Sequence, residues 1–318
     1  MRQSLELAKP TSTEPVSDPE LLLRESSGDR KPSLFYIPRI CCQAAGGDPP
    51  IADHLGLAWF LFYIAAHLMD NVEDQDDPGQ LWASYSPGVR INVASGLFFT
   101  AANSLNHLHH HEVSQAAANE IIADFYSSFL NMCSGQNEDL LNEKITLAMY
   151  WRIAASKSGG FFGIGCWAGA RLATDDTARL EGFRQFGLNL GIYKQIRDDL
   201  EEIRGLEDQL TLNNQNPPGD LRTRSSAPKL RRTLPIVYAY EVLPLPERTR
   251  IDQYLESINH SQDSAEQEFH EELVKILDRS GTALYMAAEL ERYRSRALAA
   301  LEQAAPNPQG KDILASFL

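Results

Sequence analysis

Asp70 and Asp74 stand four residues apart, as do Asp198 and Glu202, and Asp199 adjoins the first of the second pair. Residues four apart share one face of a helix. Each pair therefore puts two carboxylates on one surface, which destabilises an isolated helix by a few tenths of a kcal/mol. Partial burial raises that cost unless a cation compensates. A single acidic helix end is commonly just solvated. Matching pairs on two separate helices argue for an ion between them. All-oxygen ligation, with room for water and a phosphate, points to Mg2+ rather than zinc.

The elements that would carry these acids are apolar. "LGLAWFLFYIAAHLM" (55–69) runs directly into "DNVEDQDD" (70–77), with five acids in eight positions. The apolar run is shorter than the roughly 20 residues a membrane span needs, so it predicts a buried core helix and no transmembrane segment. In 119–133, Ile121, Ile122, Phe125, Tyr126, Phe129, Leu130 and Cys133 recur three and four apart, and 176–203 shows the same period. Strand signals are almost absent. The pattern predicts an all-α protein: a polar tail over 1–26, one helical domain over 27–318, and a long interior loop over 205–230. Such a loop in a compact domain implies a function. It leads into a run of cations, Arg222, Arg224, Lys229, Arg231 and Arg232. These could be merely solvated or could form a flap over an anion.

Composition narrows the partners. With 318 residues the chain can bury a large core, and its formal net charge is −14. That balance excludes nucleic acid, which needs clustered cations. Cys41, Cys42, Cys133 and Cys166 show no ligand spacing and read as reduced thiols, which suits a cytoplasmic protein. The N-terminus has no apolar signal core. The histidines of "HLHHHE" (107–112) lack a second cluster and predict no metal site.

Five segments in order carry a family resemblance. "QIRDDLEEIRG" (195–205) resembles the second aspartate-rich motif of the trans-isoprenyl diphosphate (polyprenyl) synthases, within the class I isoprenoid synthases. "DNVED" (70–74) resembles a degraded form of their first motif, DDxxD, with Asn71 in place of the second aspartate. "GQNEDL" (135–140), "KSGGFFGIGCWAGA" (157–170) and "RRTLPIVYAYE" (231–241) resemble the family's GQxxDL, KTGxLF and GKxTLPxxxALE segments.

The resemblance implies a helical bundle around a central cavity that binds an allylic prenyl diphosphate through Mg2+. Asp70, Asp74, Asp198, Asp199 and Glu202 would hold the metals. Lys157, Gln195 and Arg231 would act on the diphosphate. Asn71, Gln136, Asp139, Lys194 and Arg232 would line the binding site. Phe62, Ala65 and Ala66 would set the pocket floor, which favours a fifteen- or twenty-carbon substrate. A homodimer is expected. Trp59, Phe60, Tyr63, Phe161 and Phe162 could join Phe62 in offering π faces to a cation, or could simply be core.

Two departures bear on function. The family's N-terminal GKxxRP pattern and the Arg-Arg-Gly after its first motif dock the second substrate, isopentenyl diphosphate. Here those stretches read "GDRKPSLFYIPRI" (28–40) and "DDPGQLWASYSPGVR" (76–90). The metal site looks kept and the second diphosphate site lost. The expectation is a single-substrate terpene synthase or cyclase on a polyprenyl synthase fold. The alternatives are a chain-elongating prenyltransferase, with Lys31, Arg39 and Arg90 substituting, and a non-catalytic synthase subunit.

Overall fold

Apolar residues three and four apart make helices, and side-chain caps decide where several of them start. The computed structural model describes residues 33–74, 82, 84–110, 113–142, 144–213, 233–258 and 265–318. Among these are twelve α-helices and no strand, as the periodicity predicts. They are α1 (Ile37–Ala44), α2 (Asp53–Glu73), α3 (Pro87–Asn106), α4 (Gln115–Leu141), α5 (Leu147–Ala154), α6 (Gly160–Arg171), α7 (Thr177–Asn213), α8 (Leu234–Val242), α9 (Leu245–Ile258), α10 (Ala265–Arg279), α11 (Thr282–Ala304) and α12 (Pro308–Ala315). The Ser114 hydroxyl accepts from Ala117 N at 3.2 Å to start α4, and Thr146 accepts from Met149 N at 3.2 Å to start α5.

The long helix α7 is the spine, with α6 and α11 packed along it, while α2 pairs with α3. Gly187 and Gly191, one turn apart on α7, make the α6 seam possible. A Cβ on Gly187 would collide with the Phe162 carbonyl, and one on Gly191 with the Ser158 carbonyl. Only a bare backbone fits there. The largest core cluster joins α1, α2, α4, α6 and α7 through Ile37, Trp59, Phe125, Phe162, Phe183 and Phe186. Trp59 is 1% exposed, stacks on Phe161 with centroids 4.5 Å apart, and donates from Nε1 to the Phe161 carbonyl at 3.0 Å.

The apolar run at 55–69 is the body of α2. By length and composition the stretch Pro49–Glu73 could cross a bilayer, but Leu55, Ala58, Trp59, Phe62, Ala65 and Leu68 pack into the bundle. The helix predicted over 119–133 is longer at both ends. The interior loop begins later than the sequence reading puts it, because α7 continues to Asn213, through 205–213. Leu206, Glu207, Gln209 and Leu210 are good helix formers, and Gly205 costs a helix interior only about 1 kcal/mol. The strong breakers, Pro217 and Pro218, come later. Residues 214–230, the polar tail, Arg231 and Arg232 lie outside the described residues, as do the side chains of Glu202 and 204–213.

Candidate active site

Between α5 and α6 the chain makes one π-helical turn, Ala155–Gly159, which carries Lys157. Such turns occur mostly inside α-helices, where they re-aim a side chain. Lys157 Nζ lies 3.3 Å from Asp70 Oδ1 on α2 and 3.4 Å from Asp139 Oδ2 on α4. Three elements thus converge on one ammonium. Burial works against its charge, but Asp70, Asp139 and Asp74 outweigh burial and hold the Lys157 pKa above the usual lysine value. Asp70, Glu73 and Asp74 occupy the C-terminal end of α2, the negative pole of its dipole, and the last turn contains no basic residue. The site is short of positive charge even with Lys157 in place.

Asn71 does not share the Asp70 face. It is buried on the stripe of Ala65 and Leu68, and its Nδ2 has no hydrogen-bond partner among the described residues. A carboxylate there would be a buried charge, which accounts physically for the neutral amide. Gln136 donates from Nε2 to Glu73 at 2.7 Å, a partnership the sequence reading missed.

The adjacent acids Asp198 and Asp199 lie on two different surfaces of α7. Asp198 is exposed, and Lys194 is half-buried one turn before it. The Tyr63 phenol on α2 is raised above its usual pKa, first by burial and then by the Asp198 carboxylate. Asp198 is therefore within electrostatic reach of α2.

Asp199 points elsewhere. It is 6% exposed; Oδ2 accepts from Tyr150 OH at 2.7 Å and from Leu234 N at 2.7 Å, and Oδ1 accepts from Gln195 Nε2 at 2.9 Å. Desolvation pushes its pKa up to about 6 despite these donors. The same burial, then the carboxylate, raises Tyr150 well above the phenol range. Asp199, expected as a metal ligand, has both carboxylate oxygens engaged inside the protein in this structure. Gln195, expected to act on the diphosphate, accepts at Oε1 from Ser158 at 2.7 Å while its Nε2 donates to Asp199. Tyr150 carried no recognisable signal in the sequence, whereas Ser158 lies in the segment 157–170 that resembles KTGxLF.

Beneath the acids lies an aromatic cluster. Phe62, two turns before Asp70, is 4% exposed, with its centroid 4.1 Å from that of Phe129 and 5.9 Å from that of Phe98. Phe161 lies between Tyr63 and Phe129. Ala65 is fully buried and Ala66 partly exposed. Trp59 and Phe162 are core, and Phe60 packs edge-on against Phe35. Of the cations suggested for a second diphosphate, Arg39 is ion-paired with Asp53 and Arg90 is buried on α3. Lys31 lies outside the described residues. A groove of about 640 Å3 between α4, the π-turn and α7, lined in part by Glu138, Arg152 and Arg184, includes none of the expected site residues.

Among the described residues no three His, Cys, Asp or Glu side chains converge closely enough to hold a metal by themselves. Asp70, Asp74 and Asp198 offer hard oxygen donors without a closed cage. That suits Mg2+, which keeps waters and takes substrate phosphate oxygens.

An all-helical bundle with carboxylates on two helices, a lysine between, and an aromatic floor below is the isoprenoid synthase type. The chain belongs to the polyprenyl synthetase family, whose model matches residues 38–273. It is 32% identical over 180 residues to a geranylgeranyl diphosphate synthase of Mycobacterium tuberculosis, a match covering 54% of this chain and 49% of that protein. This match spans only about half of that relative's length. A tryptophan prenyltransferase, ComQ, of Bacillus subtilis is 23% identical over 277 residues, covering 86% of this chain and 82% of that one. A solved polyprenyl synthase from Caulobacter crescentus, complexed with calcium and isoprenyl diphosphate, superposes with a TM-score of 0.70 at 21% identity, covering 94% and 86%. These relatives do not support the expected terpene synthase or cyclase. Prenyl transfer, the alternative, fits them better.

Proposed function

We propose that the protein is a Mg2+-dependent prenyltransferase that ionises an allylic prenyl diphosphate and passes the prenyl group to an acceptor, in the first instance isopentenyl diphosphate. The observation that carries this reading is Lys157 held between Asp70 and Asp139 above an aromatic floor. Asp70, Asp74 and Asp198, with Glu202, would hold Mg2+, which when bound supplies Lewis-acid stabilisation to the departing diphosphate. The Lys157 ammonium donates to a diphosphate oxygen as negative charge grows there. Arg231 and Arg232 are proposed to add positive charge on the same side. Tyr63, Phe129 and Phe161 exclude water from the allylic carbon and offer π faces to its cation. Phe62 sets the depth of the pocket, and a fifteen- or twenty-carbon chain is the proposed length.

A second reading has its own support. The cations that dock a second diphosphate in the resembling family are missing from 28–40 and 76–90, Arg39 is engaged by Asp53, and the relative matching 86% of the chain is a tryptophan prenyltransferase. An indole acceptor would need no cations of its own.

One incubation series separates the readings. The protein with Mg2+ receives ten-, fifteen- and twenty-carbon allylic diphosphates with labelled isopentenyl diphosphate or with a tryptophan peptide. Label in a longer diphosphate supports elongation; a prenylated indole supports the second reading. Hydrocarbon release without either acceptor would overturn both.

A homodimer is also proposed. Val89 and Val93 on α3, and Tyr126 and Leu130 on α4, are exposed apolar residues one turn apart, the pattern of a surface awaiting a partner. Light scattering reads the mass directly. A cytoplasmic site is proposed from Cys41, Cys42 and Cys166, which are buried free thiols.

A further inference from the structure

Gly187, Gly191, Gln195 and Asp199 recur every four residues and so form one stripe along α7. Its first half is bare backbone pressed against the carbonyls of Phe162 and Ser158. Its second half is a continuous polar chain. Ser158 Oγ donates to Gln195, Gln195 donates to Asp199, and Asp199 accepts from the Leu234 amide and the Tyr150 hydroxyl. One end of this chain adjoins Lys157. The other is the first residue of α8. Thr233, the N-cap of α8, makes no side-chain cap bond. The Asp199 carboxylate, from another helix, accepts from the Leu234 amide, one of the orphan donors at the start of α8. A buried carboxylate is tolerable only when fully hydrogen-bonded, and here three donors share its two oxygens.

We propose that Ser158, Gln195 and Asp199 form a positioning strut. It sets the Lys157 turn and the start of α8 against the acidic face at Asp198, and Asp199 gives no ligand to the metal. The assignment of Asp198 as the ligand rests on the prenyltransferase reading; the strut itself does not. To turn toward a metal, Asp199 would have to abandon a buried amide and a buried phenol. The adjacent acids thus divide the labour, because neighbouring residues point about 100° apart around a helix.

Three variants test this: Asp198→Asn, Asp199→Asn and Asp199→Leu. Asparagine at 199 can keep the strut. Its Oδ1 accepts from Tyr150 and Leu234, its Nδ2 donates to a flipped Gln195, and Gln195 then donates to Ser158. Leucine keeps the branched shape, at somewhat larger volume, and removes every acceptor. Two readouts are taken: hydrogen exchange at the Leu234 amide without ligands, and calorimetric binding of Mg2+ with inorganic pyrophosphate. In Asp199→Asn the amide stays protected and affinity stays within about threefold of the parent. In Asp199→Leu the amide exchanges at least about tenfold faster, and pyrophosphate affinity falls about 10- to 100-fold through the displaced lysine turn, as expected for an outer-shell support. Asparagine rescuing what leucine destroys distinguishes a hydrogen-bonding strut from mere space filling.

The proposal is overturned if Asp199→Asn loses affinity as severely as Asp198→Asn while Leu234 stays protected, for then Asp199 is a ligand. It is overturned equally if Asp199→Leu leaves the Leu234 amide protected. If Asp198→Asn binds Mg2+ and pyrophosphate like the parent, the metal reading fails and amide exchange still decides the strut. Should the leucine variant not fold, Ser158→Ala cuts the first link alone. Weaker pyrophosphate binding with Leu234 unchanged supports the strut, and unchanged binding counts against it.

Discussion

Lys157 Nζ on the π-turn and Asp70 Oδ1 at the end of α2 lie 3.3 Å apart, joining the two elements that the proposed function brings to one diphosphate. Without ligand the ammonium stands in for the cation that the acidic helix end lacks. Metal and lysine then compete for Asp70. Lys157→Met is expected to bind Mg2+ alone more tightly than the parent, because a nearby positive charge is gone. It should bind Mg2+ with pyrophosphate less tightly, because a donor to the anion is gone. Calorimetry with and without pyrophosphate reads both; a loss in both arms would show that Lys157 serves the fold instead.

The same lysine makes a prediction about pH. Its folded pKa is raised above the unfolded value, so the stability it contributes is fully present below the unfolded pKa, near 10.4, and is lost only as pH rises through the folded one. Lys157 therefore stays charged from pH 6 to 9, at roughly a unit or more below that value. A step in Tm that vanishes on Lys157→Met but lies in this interval would contradict the assignment.

Asp70→Ala and Asp198→Ala should each lower kcat by about 10²- to 10³-fold, the scale of losing one electrostatic stabiliser. Both side chains are partly or largely exposed, so far-ultraviolet circular dichroism should be unchanged. Retention of parental rates in both variants would remove the two-helix metal site.

Asp199 titrates in the opposite sense to an ordinary paired carboxylate. Its folded pKa is raised from 3.8 to about 6. The folded state therefore holds its proton more tightly, and this group's contribution to stability declines as pH rises from about 4 to 6, then levels off. The cost at neutral pH is of the order of 3 kcal/mol at 1.36 kcal/mol per pKa unit. Asp199→Asn carries no such charge. Its Tm relative to the parent should climb between pH 4 and 7, and a flat difference would contradict the burial argument.

Gly191→Ala should be destabilised by about 1–3 kcal/mol, the cost of overpacking a close seam. The added methyl meets the Ser158 carbonyl, one residue from Lys157. Denaturant melts read the first effect. A fall in kcat beyond that of a comparably destabilised variant far from the site, such as Leu314→Ala, reads the second.

Helices, their apolar faces and the two acid pairs were legible in the sequence because each is a local, periodic property: spacing of three and four fixes a face whatever lies opposite. Lys157 was legible through the resemblance of 157–170 to the family's KTGxLF segment. The end of α7 was not, since Asn, Gln and Gly read as loop, while the strong breakers Pro217 and Pro218 come only later in the chain. The partners of buried polar atoms were decided only in three dimensions. Asp198 and Asp199 are the same residue type side by side, yet one faces out toward α2 and the other accepts from Tyr150 on α5 and Leu234 on α8. Nothing in their spacing separates them. What does is the desolvation that α5 and α8 impose on one side of α7, which makes a satisfied hydrogen-bond set compulsory there and not on the exposed side.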